Sequence, residues 1–205
     1  MNTSTSDKTI ARDLYADLMN EARDRLAAIG RTIDQRDQWR PIIAQEFCYL
    51  QLRVLCELIA ICCLIAHTDY LTDSSMKIFE ASKIIKKLSS LSSNFYPRPM
   101  IADITPDKVH LTDIETGFLT KDELIELWAR SGHYVHRGTA KTLLQAGTAG
   151  FNVDLDPILF WRNKITTLLK VHLISSKTNN EHLLVFISHE QTDGKALVCI
   201  AGSPG

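Results

Sequence analysis

Eleven residues, Trp128 to Gly138, hold the densest polar chemistry in the chain: Arg130, Arg137, His133, His136, Ser131 and Tyr134. At helical spacing these groups separate by face. Leu124, Leu127, Trp128, Ser131 and Val135 fall on one stripe, which should meet the core. Arg130, His133 and Arg137 fall on the opposite side, with His136 at its flank. The cationic groups are therefore expected at a surface.

Arginine offers a planar fork of donors to a phosphate, and histidine exchanges a proton near neutral pH. Together they supply the minimum for cleaving RNA without a metal. One group activates the ribose 2′-hydroxyl, and the guanidinium stabilises charge building at phosphorus. A second explanation carries equal weight. Arg and His are favoured at a helix C-terminus by the helix dipole alone.

Arg130 and His136, with five residues between them, fit the R-x(4–6)-H pattern of the HEPN superfamily, which the segment resembles. The resemblance also covers the helical layout from about residue 7 to 174, with the motif late in a bundle of four or five helices. It implies a homodimer in which two motifs meet in a cleft, cut RNA without metal or other cofactor, and leave a 2′,3′-cyclic phosphate. Arg130 would hold the scissile phosphate and His136 would handle the proton. Geometry adds Arg137 and His133 as RNA- or phosphate-binding candidates, and the resemblance adds Ser131, the residue just after the motif arginine. Ser131 stands where the family frequently has Asn, Asp or His. A straight helix places Arg130 and His136 about 120° apart, so Gly132 is expected to relax the helix, or two chains to supply complementary copies. The resemblance further implies a role in toxin or phage-defence systems, with an antitoxin or nucleotidyltransferase as partner protein.

Other polar groups have simpler expectations. His133 and His136 share no evident third ligand, so no metal is expected. Lys83, Lys86 and Lys87 read as a solvated face that RNA backbone can also use. Arg53 and Glu57, four apart, should pair on one face. Glu57 would orient Arg130 or His136 if it faces them. His67 and His172 are placed at helix ends. The cysteines Cys48, Cys56, Cys62, Cys63 and Cys199 form no CxxC pair and read as reduced core residues of a cytoplasmic protein. Ser188-His189 is an isolated pair and makes no nucleophile elbow.

The elements that must position these groups can be read from periodicity. Residues 7–29 predict a helix stopped at Gly30. Pro41 suits the first turn of a second helix reaching about His67. That helix is apolar on nearly all sides after Leu50, as in a helix surrounded by others. Its stretch Phe47 to Ala66 is long enough to span a bilayer. Arg53 and Glu57 interrupt it, and Leu58 to Ala66 is too short, so no membrane span is expected. Thr72, Asp73 and Ser74 are N-cap candidates for a third helix carrying Met76, Phe79, Ile84, Ile85, Leu88 and Leu91. Residues 100–118 suggest two strands around Thr105-Pro106-Asp107. Thr120 and Glu123 make a capping box for a fourth helix. Residues 140–150 read as a loop or short helix. Asp156-Pro157 opens a fifth helix through about Ile174. His182–Ser188 and Ala196–Ala201 predict a terminal hairpin.

The whole is a mainly α fold, a bundle of four or five helices with a small β appendage. Residues 1–178 form the bundle, with the β insertion near 100–118. Residues 179–205 form a hairpin packed on the same domain, joined by the strands near 100–115. At 205 residues, 45% hydrophobic and 23% charged, the chain is an ordinary globular one. A net charge of −1 gives no overall field for coating nucleic acid, so any RNA contact needs a local basic cluster. The polar first ten residues are not expected to act as a secretion signal. Two functions stand side by side: a HEPN-like endoribonuclease or RNA-binding relative, and a non-enzymatic helical dimerisation or interaction module.

Overall fold

The computed structural model describes residues 5–67, 77–78, 80–105, 108–135, 153–175 and 181–202. Five helices are present among them: α1 (Thr5–Asp34), α2 (Pro41–Ile65), α3 (Ala81–Ser89), α4 (Lys121–Val135) and α5 (Asp156–Lys170). Five strands join them: β1 (Arg98–Ile104), β2 (Val109–Asp113), β3 (Val171–Ser175), β4 (Glu181–Phe186) and β5 (Leu197–Gly202). The fold is mainly α, with a sheet larger than the expected hairpin.

α2 is the axis of the helical layer. Pro41 opens it, where a missing N–H costs nothing. α1, α3, α4 and α5 all pack on it. Leu52, Leu55, Ile59 and Cys63 are fully buried along its length. Its length and composition would allow a membrane span, yet 67% of its most apolar window is buried inside the fold. Packing against four helices accounts for that apolarity. The four α2 cysteines are buried and unpaired. Burial raises the Cys48 thiol to about 11 and pushes Cys56 and Cys63 well above the usual thiol range. Thiolate chemistry is thereby suppressed.

The strands form one antiparallel sheet in the order β2-β1-β3-β4-β5. Its middle strand, β3, follows α5 without a loop and occupies residues expected to continue that helix. The chain passes from helix to extended backbone at Val171 (φ −141°, ψ 129°). His172, Leu173 and Ile174 are all buried, so a strand covered on both faces shows no alternation and imitates a helix end. Ile174 and Val185 face the main core, while Met100, Leu173, Leu184 and Phe186 form a second small core on the other face.

The terminal hairpin is bonded to the first helix. Arg23 of α1 donates to the Gly194 carbonyl, and the Ala196 amide donates to Asn20 Oδ1 at 2.8 Å. The expected hairpin and the expected strands near 100–115 do share a sheet, but only through β3.

α1 runs four residues beyond Gly30, the expected stop. Arg162 of α5 lies against that glycine, where a Cβ would sit 3.1 Å from its terminal nitrogen, and its Nε donates to Leu26 O at 3.1 Å. The glycine serves close helix approach. α3 is shorter than expected. Thr72, Asp73, Ser74, Met76 and Phe79 lie outside the described residues, as do 140–150. Lys83, Lys86 and Lys87 are exposed, as expected of a solvated face.

Candidate functional site

α4 begins at the expected capping box. The Thr120 amide donates to Glu123 Oε2 at 3.0 Å, and the Glu123 amide donates to Thr120 Oγ1 at 3.3 Å. Lys164 of α5 pairs with the same carboxylate. Burial alone would raise the Glu123 pKa, but Lys164 and the Thr120 N–H outweigh it and hold it low. Leu119, just before the helix, donates to Lys164 O and accepts from the Tyr96 hydroxyl, both at 3.0 Å. The start of α4 is thus fixed from two sides.

Downstream, the helix turns as its periodicity requires. Leu124, Leu127 and Ser131 are buried, Trp128 is half-buried, and Arg130 and His133 are exposed. Val135, expected on the core stripe, is 37% exposed at the helix end.

The inner flank of α4 is clasped by α2. Arg53 stacks over the Trp128 ring at 4.1 Å, and its Nη1 donates to Trp128 O at 3.0 Å. Arg53 and Glu57 pair at 3.5 Å, as their spacing predicts. Trp128 Nε1 donates to Glu57 Oε1 at 2.9 Å. Glu57 therefore anchors Trp128 and Arg53; no described contact takes it to Arg130. Gly132 does not relax the helix, which continues unbroken to Val135. It makes room for Arg53, whose Nη1 would sit 3.0 Å from an added Cβ.

The other flank carries Arg130. The Tyr134 side chain lies beside its guanidinium one turn later and stabilises the charged form beyond the cost of partial desolvation. Tyr134 stacks on Tyr49 of α2 with ring centroids 3.7 Å apart and planes 4° from parallel. The Tyr49 hydroxyl is buried beside Tyr134 and Arg130 without closing a well-formed hydrogen bond. Burial, with Tyr134 next, drives its ionisation well above the ordinary range, against the pull of Arg130. Tyr49 is thus a rigid floor and not a base. At 100° per residue, Arg53 and Arg130 meet opposite flanks of α4 and do not merge into one basic pocket.

Three of the five candidate residues can be placed. Arg130 and His133 stand on the outward side, three residues apart, at the separation that makes helix neighbours. Ser131 is 0% exposed, and its hydroxyl has no hydrogen-bond partner. It faces α2 and the core, as its own helical stripe demands, so it offers nothing to a phosphate at this surface. His136 and Arg137 lie outside the described residues.

Tyr49, which with Tyr134 holds the arginine flank, carries no signal of a site in the sequence, whereas Tyr134 falls in the polar segment. Position 134 lies next to the core stripe at helical spacing, and that was the available signal. His67 and His172 are not merely dipole partners at helix ends. The two His67 ring nitrogens face the Cys63 and Ser175 carbonyl oxygens at 2.8 and 3.0 Å. His172 lies in β3, fully buried, with Nε2 2.8 Å from the Tyr15 hydroxyl.

Among the described residues, no group of three or more His, Cys, Asp or Glu could hold a metal ion. No family model matches the chain, and neither a curated protein nor a solved structure matches it.

Proposed function

We propose that the chain is a HEPN-like, metal-independent endoribonuclease or RNA-binding relative that meets the RNA backbone with the last turns of α4. Arg130 carries this conclusion. Its guanidinium is exposed, firmly protonated, and steadied by a tyrosine seated on the central helix. A preset charge of this kind binds a phosphate at low ordering cost. His133 adds a second group on the same side. In this scheme Arg130 holds the scissile phosphate. His136 takes the 2′-hydroxyl proton as the 2′-oxygen bonds phosphorus; the P–O5′ bond breaks and the imidazolium passes a proton to the 5′-oxygen, leaving a 2′,3′-cyclic phosphate and a free 5′-hydroxyl. A homodimer would bring two such helix ends together, and an antitoxin or nucleotidyltransferase would be the partner protein.

The direct test incubates the purified protein with total RNA in the presence of a chelator and maps the ends. Wild-type protein should yield cyclic phosphates. Arg130→Ala and His136→Ala should each abolish cleavage while keeping the wild-type thermal transition. Undiminished cutting in both variants overturns the assignment.

A second reading has its own observation. Ser131 is buried in the helix packing and Glu57 is held by Trp128 and Arg53, so neither serves Arg130. That favours a non-enzymatic interaction module in which α4 presents Arg130 to a protein. An Arg130→Ala variant that dissociates a dimer, in a protein that never cuts RNA, would select this alternative.

A further inference from the structure

Residues of β1, β3 and β4 open onto a cleft of about 480 Å³ that no residue of α4 lines. That is within the size range of small-molecule sites. Its walls combine donors with flat apolar surface: Asn94, Tyr96, Arg98, Phe118, Ser175 and His182.

The polar side is built and not incidental. Ser175 and His182 are direct cross-strand partners, so both side chains leave the same face of the sheet. His182 Nδ1 and Ser175 Oγ are 3.0 Å apart. The Ser175 backbone is fixed from the core side, because its carbonyl faces Nε2 of buried His67 at 3.0 Å. Arg98, a lining residue, pairs through Nε with Asp113 at 3.2 Å. Tyr96 is held by its hydroxyl bond to Leu119, which turns the ring into a fixed wall.

We propose that this cleft binds a phosphate monoester carried on a planar ring, of the nucleoside monophosphate class. Arg98, the Ser175 hydroxyl and the Asn94 amide supply donors of the kind that anionic oxygens require. The rings of Tyr96 and Phe118 supply the face against which a flat group packs. Asp113 partly offsets the arginine charge, so affinity needs both halves of the ligand. The site is independent of Arg130 and stands whether or not α4 cleaves RNA.

The test is calorimetric titration of the full chain with adenosine 5′-monophosphate, uridine 5′-monophosphate, adenosine and inorganic phosphate. The His182 ring resonances are followed by NMR in parallel. At least one nucleotide should bind tenfold or more tightly than adenosine and than phosphate, and should shift the His182 signals. Arg98→Gln lies at an exposed pair and should keep the thermal transition while weakening nucleotide binding at least tenfold. His182→Gln should weaken it less. The proposal is overturned if neither nucleotide moves the His182 signals at millimolar concentration. It is equally overturned if phosphate alone binds as well as the nucleotides, or if Arg98→Gln leaves binding intact.

Discussion

Arg53 reaches Gly132 so closely that a Cβ on the glycine would lie 3.0 Å from Arg53 Nη1. The guanidinium fills the side-chain space that Gly132 leaves open, and in that position it caps Trp128 O and covers the Trp128 ring.

Two opposed terms then decide the effect of Gly132→Ala. Alanine gains about 1 kcal/mol over glycine in a helix interior. Displacing a charged donor from Trp128 O costs about 1.5–3 kcal/mol. The substitution should therefore destabilise the wild-type protein by about 1 kcal/mol. In an Arg53→Ala background the second cost is gone, and the same change should stabilise by about 1 kcal/mol. Urea denaturation of the four proteins of this cycle measures the reversal. An equal effect in both backgrounds would separate the glycine from the arginine.

Ser131→Ala should be neutral or stabilising, by up to about 1 kcal/mol, because it removes a buried hydroxyl that has no partner. RNA binding or cleavage should be unchanged. A large loss of either activity would mean that the hydroxyl reaches a ligand.

His172 predicts an acid-sensitive fold. Burial depresses its pKa from 6.5 to about 4, with a smaller opposing contribution from the Leu169 carbonyl. Above pH 6.5 both folded and unfolded chains hold it neutral. As pH falls from 6.5 toward 4, only the unfolded chain takes up the proton. Stability then falls by about 1.4 kcal/mol per pH unit at full linkage. Denaturation at a series of pH values should show this slope, and His172→Gln should flatten it between pH 6.5 and 5. Tyr15→Phe should cost about 1–3 kcal/mol at neutral pH, since it strands the Nε2 acceptor.

The capping box of α4 should be ranked by its contacts. Thr120→Ala removes one cap and should cost about 1 kcal/mol. Glu123→Ala removes the reciprocal cap and also leaves Lys164 unpaired at 17% exposure. Its cost should be about twice as large. Thermal melts of the two variants give the order, and equal losses would show that Lys164 finds another partner.

Local signals in the chain located most of the elements that frame the site. Pro41, the Thr120–Glu123 box and Asp156-Pro157 each mark a helix start by satisfying or removing an exposed N–H, and each start is where the structure has it. The face of α4 followed from spacing alone. The misses share one cause, which is tertiary context. Gly30 and Gly132 read as interruptions, yet each admits an arginine from a neighbouring helix. β3 reads as a helix end because its two faces are covered by different partners. The Tyr49–Tyr134 stack joins positions 85 residues apart, and no local pattern announces such a contact.

The contact of the terminal hairpin with Asn20 and Arg23 has a consequence for biogenesis. The α1 residues are made 171 and 176 positions before the hairpin residues that they bind. Until β4 and β5 emerge, β3 lacks a neighbour on one side, and Asn20 and Arg23 of α1 lack their hairpin partners. A nascent chain stalled in that interval would present an open strand edge to chaperones, so the yield of this protein should be sensitive to translation speed between β3 and β5.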